Sequence, residues 1–215
     1  MQRKSRVKPA PRVRGRPVGA DSARTRKQIV RAGREVLNER GYPAMTFQAV
    51  SKRTGLSRPT LHYYFSTRED LYEAIVEEAR SVIAHCAGTA MESPTLLGRL
   101  STFVDAVRQV ERRDPSMMPF LISARLEFHR NPELQHVGAS PIRAFLSRLV
   151  GDAVRNGELT PDTEGEAVTD LLQVILYGMA FHAAFTGDLG PISGQLISLF
   201  ANGLVPDVPD VPADS

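Results

Sequence analysis

The chain has 215 residues, 42% of them hydrophobic, and a formal net charge of +3. That apolar share supports a sizeable core, in one large or two small domains, and excludes wholesale disorder. The basic N-terminus lacks the apolar stretch of a secretory signal. The most apolar region, around Leu171–Phe185, is interrupted by Gln173, Tyr177, Gly178 and His182, so no run of about 18 apolar residues is expected to span a bilayer.

Residues 1–20 hold seven Lys/Arg, no acid and three prolines, a composition that cannot bury a core and is expected to be a disordered basic arm. Within it Arg14-Gly15-Arg16-Pro17 is similar to the core of an AT-hook, whose arginines lie along an A·T-rich minor groove; a solvated basic tail is the alternative. From Ser22 to about Arg40 the pattern is helical. Ile29, Gly33, Val36 and Leu37 form the apolar face, with Arg24, Arg26, Lys27, Arg31 and Arg34 assigned to the other faces and Gly41 as the stop.

Thr46 to Phe65 reads as two short helices around a tight turn. Thr46 caps the first, which runs to about Arg53, Gly55 supplies a left-handed turn residue, and Ser57 caps a second helix with Pro59 in its opening turn. This is the grammar of a helix-turn-helix. Val50, Ser51, Leu56, Leu61 and Tyr64 fall where the two helices must pack. Arg58, Thr60, His62 and Tyr63 fall on the outer side of the second helix, with the groups that meet phosphates and base edges in a major groove. An ordinary helical corner with a solvated face is the bland alternative. Charge argues against it: residues 1–58 carry 16 Lys/Arg against three acids, whereas residues 59–215 carry 11 against 21. Only one part of the chain thus presents the footprint of a polyanion partner, and double-stranded DNA is the natural candidate.

Ser66 with Glu69 matches a capping box, from which a connector helix bearing Leu71, Ile75, Ala79, Val82 and Ile83 is expected to run to about Ala90. The stretch Ser57 to Leu71, with its threonine-leucine-aromatic-tyrosine-phenylalanine core, polar cap and basic-acidic pair, resembles the signature of the TetR family of bacterial transcriptional regulators. The resemblance covers residues 22–80. It implies an all-α protein in which a three-helix DNA-binding domain, residues 21–65, precedes a regulatory and dimerisation domain, residues 66–204. It also implies phosphate contacts at Thr46, Tyr64 and Arg68, and adds Ser57 to the DNA-facing set.

Beyond Ala90, five pairs of a capping residue and proline punctuate the chain: Ser93-Pro94, Asp114-Pro115, Asn131-Pro132, Ser140-Pro141 and Thr160-Pro161. Proline suits the first helical position, so helices are expected near 94–112, 115–130, 141–156 and 161–187, with a turn of helix at 132–137 and a last helix from about Pro191 to Gly203. No segment has strand periodicity. Residues 205–215, with three prolines among aspartates, are expected to be a disordered tail.

The helix over 161–187 is apolar on more than one side, and Gly178, Ala180, Ala183 and Ala184 permit close approach, so it requires two neighbours. Its own core is one. The second is expected to be the same helix of another subunit, with Gly178, Phe185, Leu196, Leu199 and Phe200 at a homodimer interface; in TetR-like proteins the last two helices play this part. Phe103, Val107, Met117, Met118, Leu121, Phe128 and Phe181, with Arg125, Tyr177 and His182 as polar contacts, line either a pocket or simply the core. The resemblance favours a pocket for a small-molecule effector.

No dinucleotide fingerprint, phosphate loop, nucleophile elbow or paired-histidine zinc helix is present, and His62, His85, His129, His136 and His182 lack metal-ligand spacing. No enzyme activity, metal or cofactor is expected. The single Cys86 cannot form an internal disulfide, which suits a reducing cytoplasm, and it reads as a buried thiol rather than a redox sensor. The reading is therefore a cytoplasmic repressor released from a palindromic operator by an apolar ligand. A DNA-packaging or scaffold protein without sequence choice is the alternative.

Overall fold

A computed structural model describes residues 18–131, 140–186 and 190–202, and those residues form only helices and turns. The first helix, α1 (Val18–Arg40), starts four residues ahead of the expected Ser22, so Val18, Gly19 and Ala20 extend the helix rather than the arm. A single 3-10 turn, Tyr42–Ala44, not anticipated from sequence, follows Gly41. Gly41 has a positive φ of 75°, which glycine adopts without strain and which lets the chain reverse, and Gly55 and Gly157 also have positive φ, 73° and 75°. The helix-turn-helix is α2 (Phe47–Thr54) and α3 (Arg58–Tyr64), capped by Thr46 and Ser57.

The connector α4 (Arg68–Ala90) does open on a capping box, but one residue later than expected. Thr67 accepts from the Asp70 amide at 3.0 Å and its own amide donates to the Asp70 carboxylate at 2.9 Å. Both Ser66/Glu69 and Thr67/Asp70 satisfy the local pattern. Burial of Leu71, Tyr72 and Ile75 accompanies the later phase and leaves Glu69 exposed beside Tyr42.

The regulatory helices are α5 (Leu96–Arg113), α6 (Met117–Arg130), α7 (Pro141–Arg155), α8 (Gly165–Thr186) and α9 (Gly190–Asn202). Of the capping residue–proline pairs, Ser140-Pro141 places proline at the first helical position. Elsewhere competing partners shift the start. Thr95 caps α5 by accepting from the Gly98 amide at 3.1 Å, and the first amide of α5 donates to Glu158 at 2.7 Å. The Asp114 carboxylate accepts from the Ser116 amide and hydroxyl, forming a turn ahead of α6. At Thr160-Pro161 the chain makes a turn closed by the Thr163 amide on the Thr160 carbonyl, and α8 starts only at Gly165. The helical turn expected over 132–137 lies outside the described residues.

Among the described residues two large cores organise these helices, and a third, small cluster of Val104, Met179 and Ala183 seats α9. In the first, Ile29, Val36, Leu61, Leu71 and Ile75 of the N-terminal helices pack with Met117 and Phe120 of α6, so the DNA-binding end shares its core with a regulatory helix. Gly33 permits the closest approach: a Cβ there would stand 2.9 Å from the Ile75 δ-methyl. The second core joins α4, α5, α7 and α8 around Leu100, Phe103, Phe145 and Leu146, with the Phe103 and Phe145 rings stacked at 4.8 Å. Cys86 is buried in it, and burial pushes its thiol pKa up.

Arg34 departs from the sequence expectation. Rather than facing solvent it is 1% exposed, and its guanidinium donates to Glu78 of α4 at 2.8 Å, to Ser116 at 2.9 Å and to Asp114. Its place four residues after Val30 and three before Leu37 puts it on the inward stripe of α1, where a buried cation persists only when carboxylates meet it. A second departure concerns α8. By length and composition Gly165–Phe185 is apolar enough to cross a membrane, because its scattered polar residues lower the average too little. Its outward apolar residues nevertheless form a stripe on one side, while Leu172, Met179 and Ala183 pack into the protein.

Candidate DNA interface and effector cavity

The turn between α2 and α3 is fastened locally. The Ser51 hydroxyl donates to the Leu56 carbonyl at 2.6 Å, the Thr54 hydroxyl donates to the Val50 carbonyl at 2.9 Å, and the Leu56 amide donates to Thr54 Oγ1 at 3.2 Å. With Val50 and Leu61 fully buried beneath it, the seven-residue α3 is held against the core by its inner face. Its outer face carries Arg58, His62 and Tyr63, the last 80% exposed. The His62 ring packs edge-on against Phe47 at 4.4 Å, which fixes its direction. Thr60 is half-buried, with its hydroxyl 2.8 Å from that of Ser57, whose oxygen also accepts the Thr60 amide. A short, rigid helix with a cation, an imidazole and a phenol outward can lie in a major groove and offer donors to base edges.

Around it, Thr46 is exposed while its hydroxyl accepts the Ala49 amide, and Tyr64 is half-buried with its ring edge against Tyr63. Arg68 lies over the Tyr42 ring at 4.3 Å and bonds Glu69 at 3.2 Å, so its guanidinium is positioned rather than free. Tyr42 donates to the same Glu69 carboxylate at 3.1 Å. Burial, then this bond, raises the Tyr42 pKa; an amide hydrogen bond, then Tyr42 and Arg68, lower that of Glu69. Arg53 points back onto α1, bonded to Glu39 and Glu35, which hold its guanidinium more firmly protonated. Arg14 and Arg16 lie outside the described residues.

A second feature is an apolar cavity of about 40 Å³ between α4, α5, α6, α7 and α8. Phe103, Val107, Met118, Leu121 and Tyr177, singled out from sequence, line it; Ile83, Ile122, Ile142, Leu176 and Ala180 were not foreseen as lining residues. The other sequence candidates do not line it. Met117 faces the first core, and Phe128 packs near Tyr72 in that same core. Phe181 and His182 are exposed, turned away by the phase of α8. Arg125 stands outside the wall, over the Tyr177 ring at 4.9 Å. Among the described residues no group of three or more His, Cys, Asp or Glu is placed to hold a metal ion.

The outer side of α8 exposes Leu171, Val174, Gly178, Phe181 and Phe185, Val174 at 68% and Phe185 at 74%. Their alternating three- and four-residue spacing keeps them on one stripe of the helix. Among the described residues nothing lies within 4 Å of a Cβ built at Gly178, so the stripe has a flat centre. On α9, Phe200 is exposed while Leu196 and Leu199 are half-buried.

Capped and turned in this way, and with the basic bias of its first 58 residues, the chain is a helix-turn-helix DNA-binding protein. Residues 29–75 match the family of bacterial regulatory proteins named tetR, and the chain is a TetR-like transcriptional regulator. It is 23% identical over 158 residues to the HTH-type transcriptional regulator UidR of Escherichia coli K12, covering 72% of this chain and 79% of UidR. It is 23% identical to the HTH-type transcriptional repressor BepR of Brucella suis, over 74% of this chain and 80% of BepR. The solved structure of Salmonella enterica GusR shares the fold with a TM-score of 0.65 and 24% identity, over 84% of this chain and 95% of that one. The relatives named are regulators rather than enzymes.

Proposed function

We propose that this protein is a repressor that binds a palindromic operator as a homodimer in the cytoplasm and is released by a small apolar effector. The observation carrying the reading is the double engagement of α6. Met118, Leu121 and Ile122 wall the cavity, while Asp114 and Ser116, just ahead of the same helix, are held by Arg34, and the Asn38 side chain donates to the Ser116 carbonyl at 2.8 Å. A cavity of about 40 Å³ is far below the roughly 300–1,000 Å³ of a small-molecule site, so an occupant must displace its walls. Displacing α6 pulls on α1, and α1 carries the helix-turn-helix.

Dimerisation is supported by the stripe on α8. A second copy laying the same stripe against it, with α9 alongside, buries Leu171, Val174, Phe181 and Phe185 in an isologous interface, and Gly178 lets the helices approach. Two recognition helices then read the two halves of a palindrome, overcoming the poor discrimination of one short helix. Arg58, His62 and Tyr63 read bases; Thr46, Ser57, Thr60, Tyr64 and Arg68 set the register on phosphates; Arg14 and Arg16 follow the flanking minor groove. The repressor name of BepR agrees with this direction of control.

The deciding experiment is footprinting on the protein's own upstream DNA with and without apolar compounds. A discrete palindrome protected by the protein and freed by a compound is the expected result. A compound that releases DNA must also raise the melting temperature, and operator DNA must weaken that compound by the same factor. Protection without sequence preference would instead favour a packaging role.

A further inference from the structure

We infer that the effector is an anionic amphiphile, whose chain occupies the cavity and whose carboxylate is held by Arg125 beside Tyr177. The inference rests on the effector reading above and specifies its ligand.

On α6, Met118, Leu121, Ile122 and Arg125 occupy positions i, i+3, i+4 and i+7 of one helical face, so Arg125 continues, one turn on, the stripe that walls the cavity. Among the described residues the wall is apolar, and the Tyr177 hydroxyl is its one side-chain polar group. That hydroxyl lies 3.4 Å from Arg125 Nη1, and the guanidinium sits over the Tyr177 ring. Tyr177 in turn stands on α8 between the cavity side, marked by Leu176 and Ala180, and the exposed stripe, marked by Gly178 and Phe181. Arg125 and Tyr177 therefore mark the rim where an apolar interior meets solvent.

The charge there is available. Among the described residues no carboxylate pairs with Arg125, whereas Arg34, Arg99 and Arg143 each meet one. The adjacent Glu127 turns the other way, accepting from Asn131 at 2.9 Å and lying 3.7 Å from Arg130. A planar guanidinium has five donors, of which the Tyr177 hydroxyl takes one, so an edge remains that fits a carboxylate with two parallel hydrogen bonds. The phenol supplies a third donor. A neutral hydrocarbon gains nothing from this rim, and a cation is repelled by it.

The test compares decanoate with methyl decanoate, which keeps the chain and removes the charge, using direct calorimetric binding and release of a footprinted operator. Decanoate should bind the wild-type protein about ten- to a hundredfold more tightly than the ester. Arg125→Ala should bring the two to parity, Arg125→Lys should restore part of the preference, and Tyr177→Phe should reduce it by a smaller factor. Arg125 is exposed, so its replacement leaves the core intact, and the acid-to-ester ratio is read within each variant. Equal binding of acid and ester by the wild type, or a preference that survives Arg125→Ala, overturns the anionic-headgroup inference while leaving effector release standing. If neither compound binds but another apolar compound releases the operator, the inference is again overturned and the release reading survives. If no apolar compound binds or alters operator affinity, both fall.

Discussion

The guanidinium of Arg34, in the helix that leads into the DNA-binding motif, donates to the carboxylate of Asp114, the residue that turns the chain into α6. These residues are 80 apart in sequence, and Arg34 is buried while Asp114 is partly open to solvent. Removing one partner of such a pair strands the other. Arg34→Ala should therefore destabilise the fold by about 2–4 kcal/mol in urea titration, while Asp114→Asn, which keeps an acceptor, should cost less. Both should blunt the effector's influence on operator affinity at saturating effector. A variant with full coupling would show that α6 and α1 communicate elsewhere.

The exposed face of α3 should divide into two behaviours. Alanine at Arg58 or His62 is expected to cost about 1–3 kcal/mol on the cognate operator and much less on random DNA. For His62 part of the loss reflects the missing edge contact with Phe47. Alanine at Thr46 or Arg68 should weaken cognate and random DNA alike. Gel-shift titrations on both duplexes separate the cases, and equal losses everywhere would leave α3 without a base-reading role.

A charge at the centre of the α8 stripe tests the dimer. Gly178→Asp meets no clash with the described residues of its own subunit, none of which lies within 4 Å of the added Cβ, so the monomer should stay folded. Against a second subunit the carboxylate would be buried and unpaired. Sedimentation should show a monomer, and binding to the full palindrome should fall to that of a half-site. A folded dimer with unchanged operator affinity would place the interface elsewhere.

The arm preceding α1 makes a measurable electrostatic claim. A protein beginning at Val18 retains every described residue and loses seven positive charges. Its log–log salt slope for operator binding should become shallower by roughly 2–4 per subunit, with less discrimination between A·T-rich and G·C-rich flanks. Identical slopes would make residues 1–17 a solvated tail.

Acid sensitivity should reach the base of α4. The Glu69 carboxyl is lowered in the folded protein, first by an amide hydrogen bond and then by Tyr42 and Arg68. Its stabilising contribution is thus full above the ordinary glutamate pKa of about 4.3 and fades as pH falls through the lowered folded value. Glu69→Gln should flatten the stability–pH profile below about pH 4.3 and leave its shape near neutrality unchanged. A parallel acid limb in the variant would show that this carboxylate is not linked to folding.

Local chemistry determined much of this protein by itself. Thr46, Gly55 and Ser57 fix the two short helices because caps and left-handed turns depend on residues a few positions apart, and the helix-turn-helix was legible for that reason. The basic bias of the first 58 residues and the all-helical periodicity of the rest were equally local. Tertiary structure decided what depends on partners far away in sequence. It moved the capping box from Ser66 to Thr67, because two registers satisfy the local pattern and burial of Leu71 and Tyr72 distinguishes them. It took Asp114 from its expected helix-start role to meet Arg34, and turned Arg34 from an outward cation into the junction of α1, α4 and α6. It also gave neighbouring Met117 and Met118, both in the first core, different second neighbours, with only Met118 reaching the cavity wall. A side chain's type shows that it seeks burial or a counter-charge; only the packing of distant helices decides which one it finds.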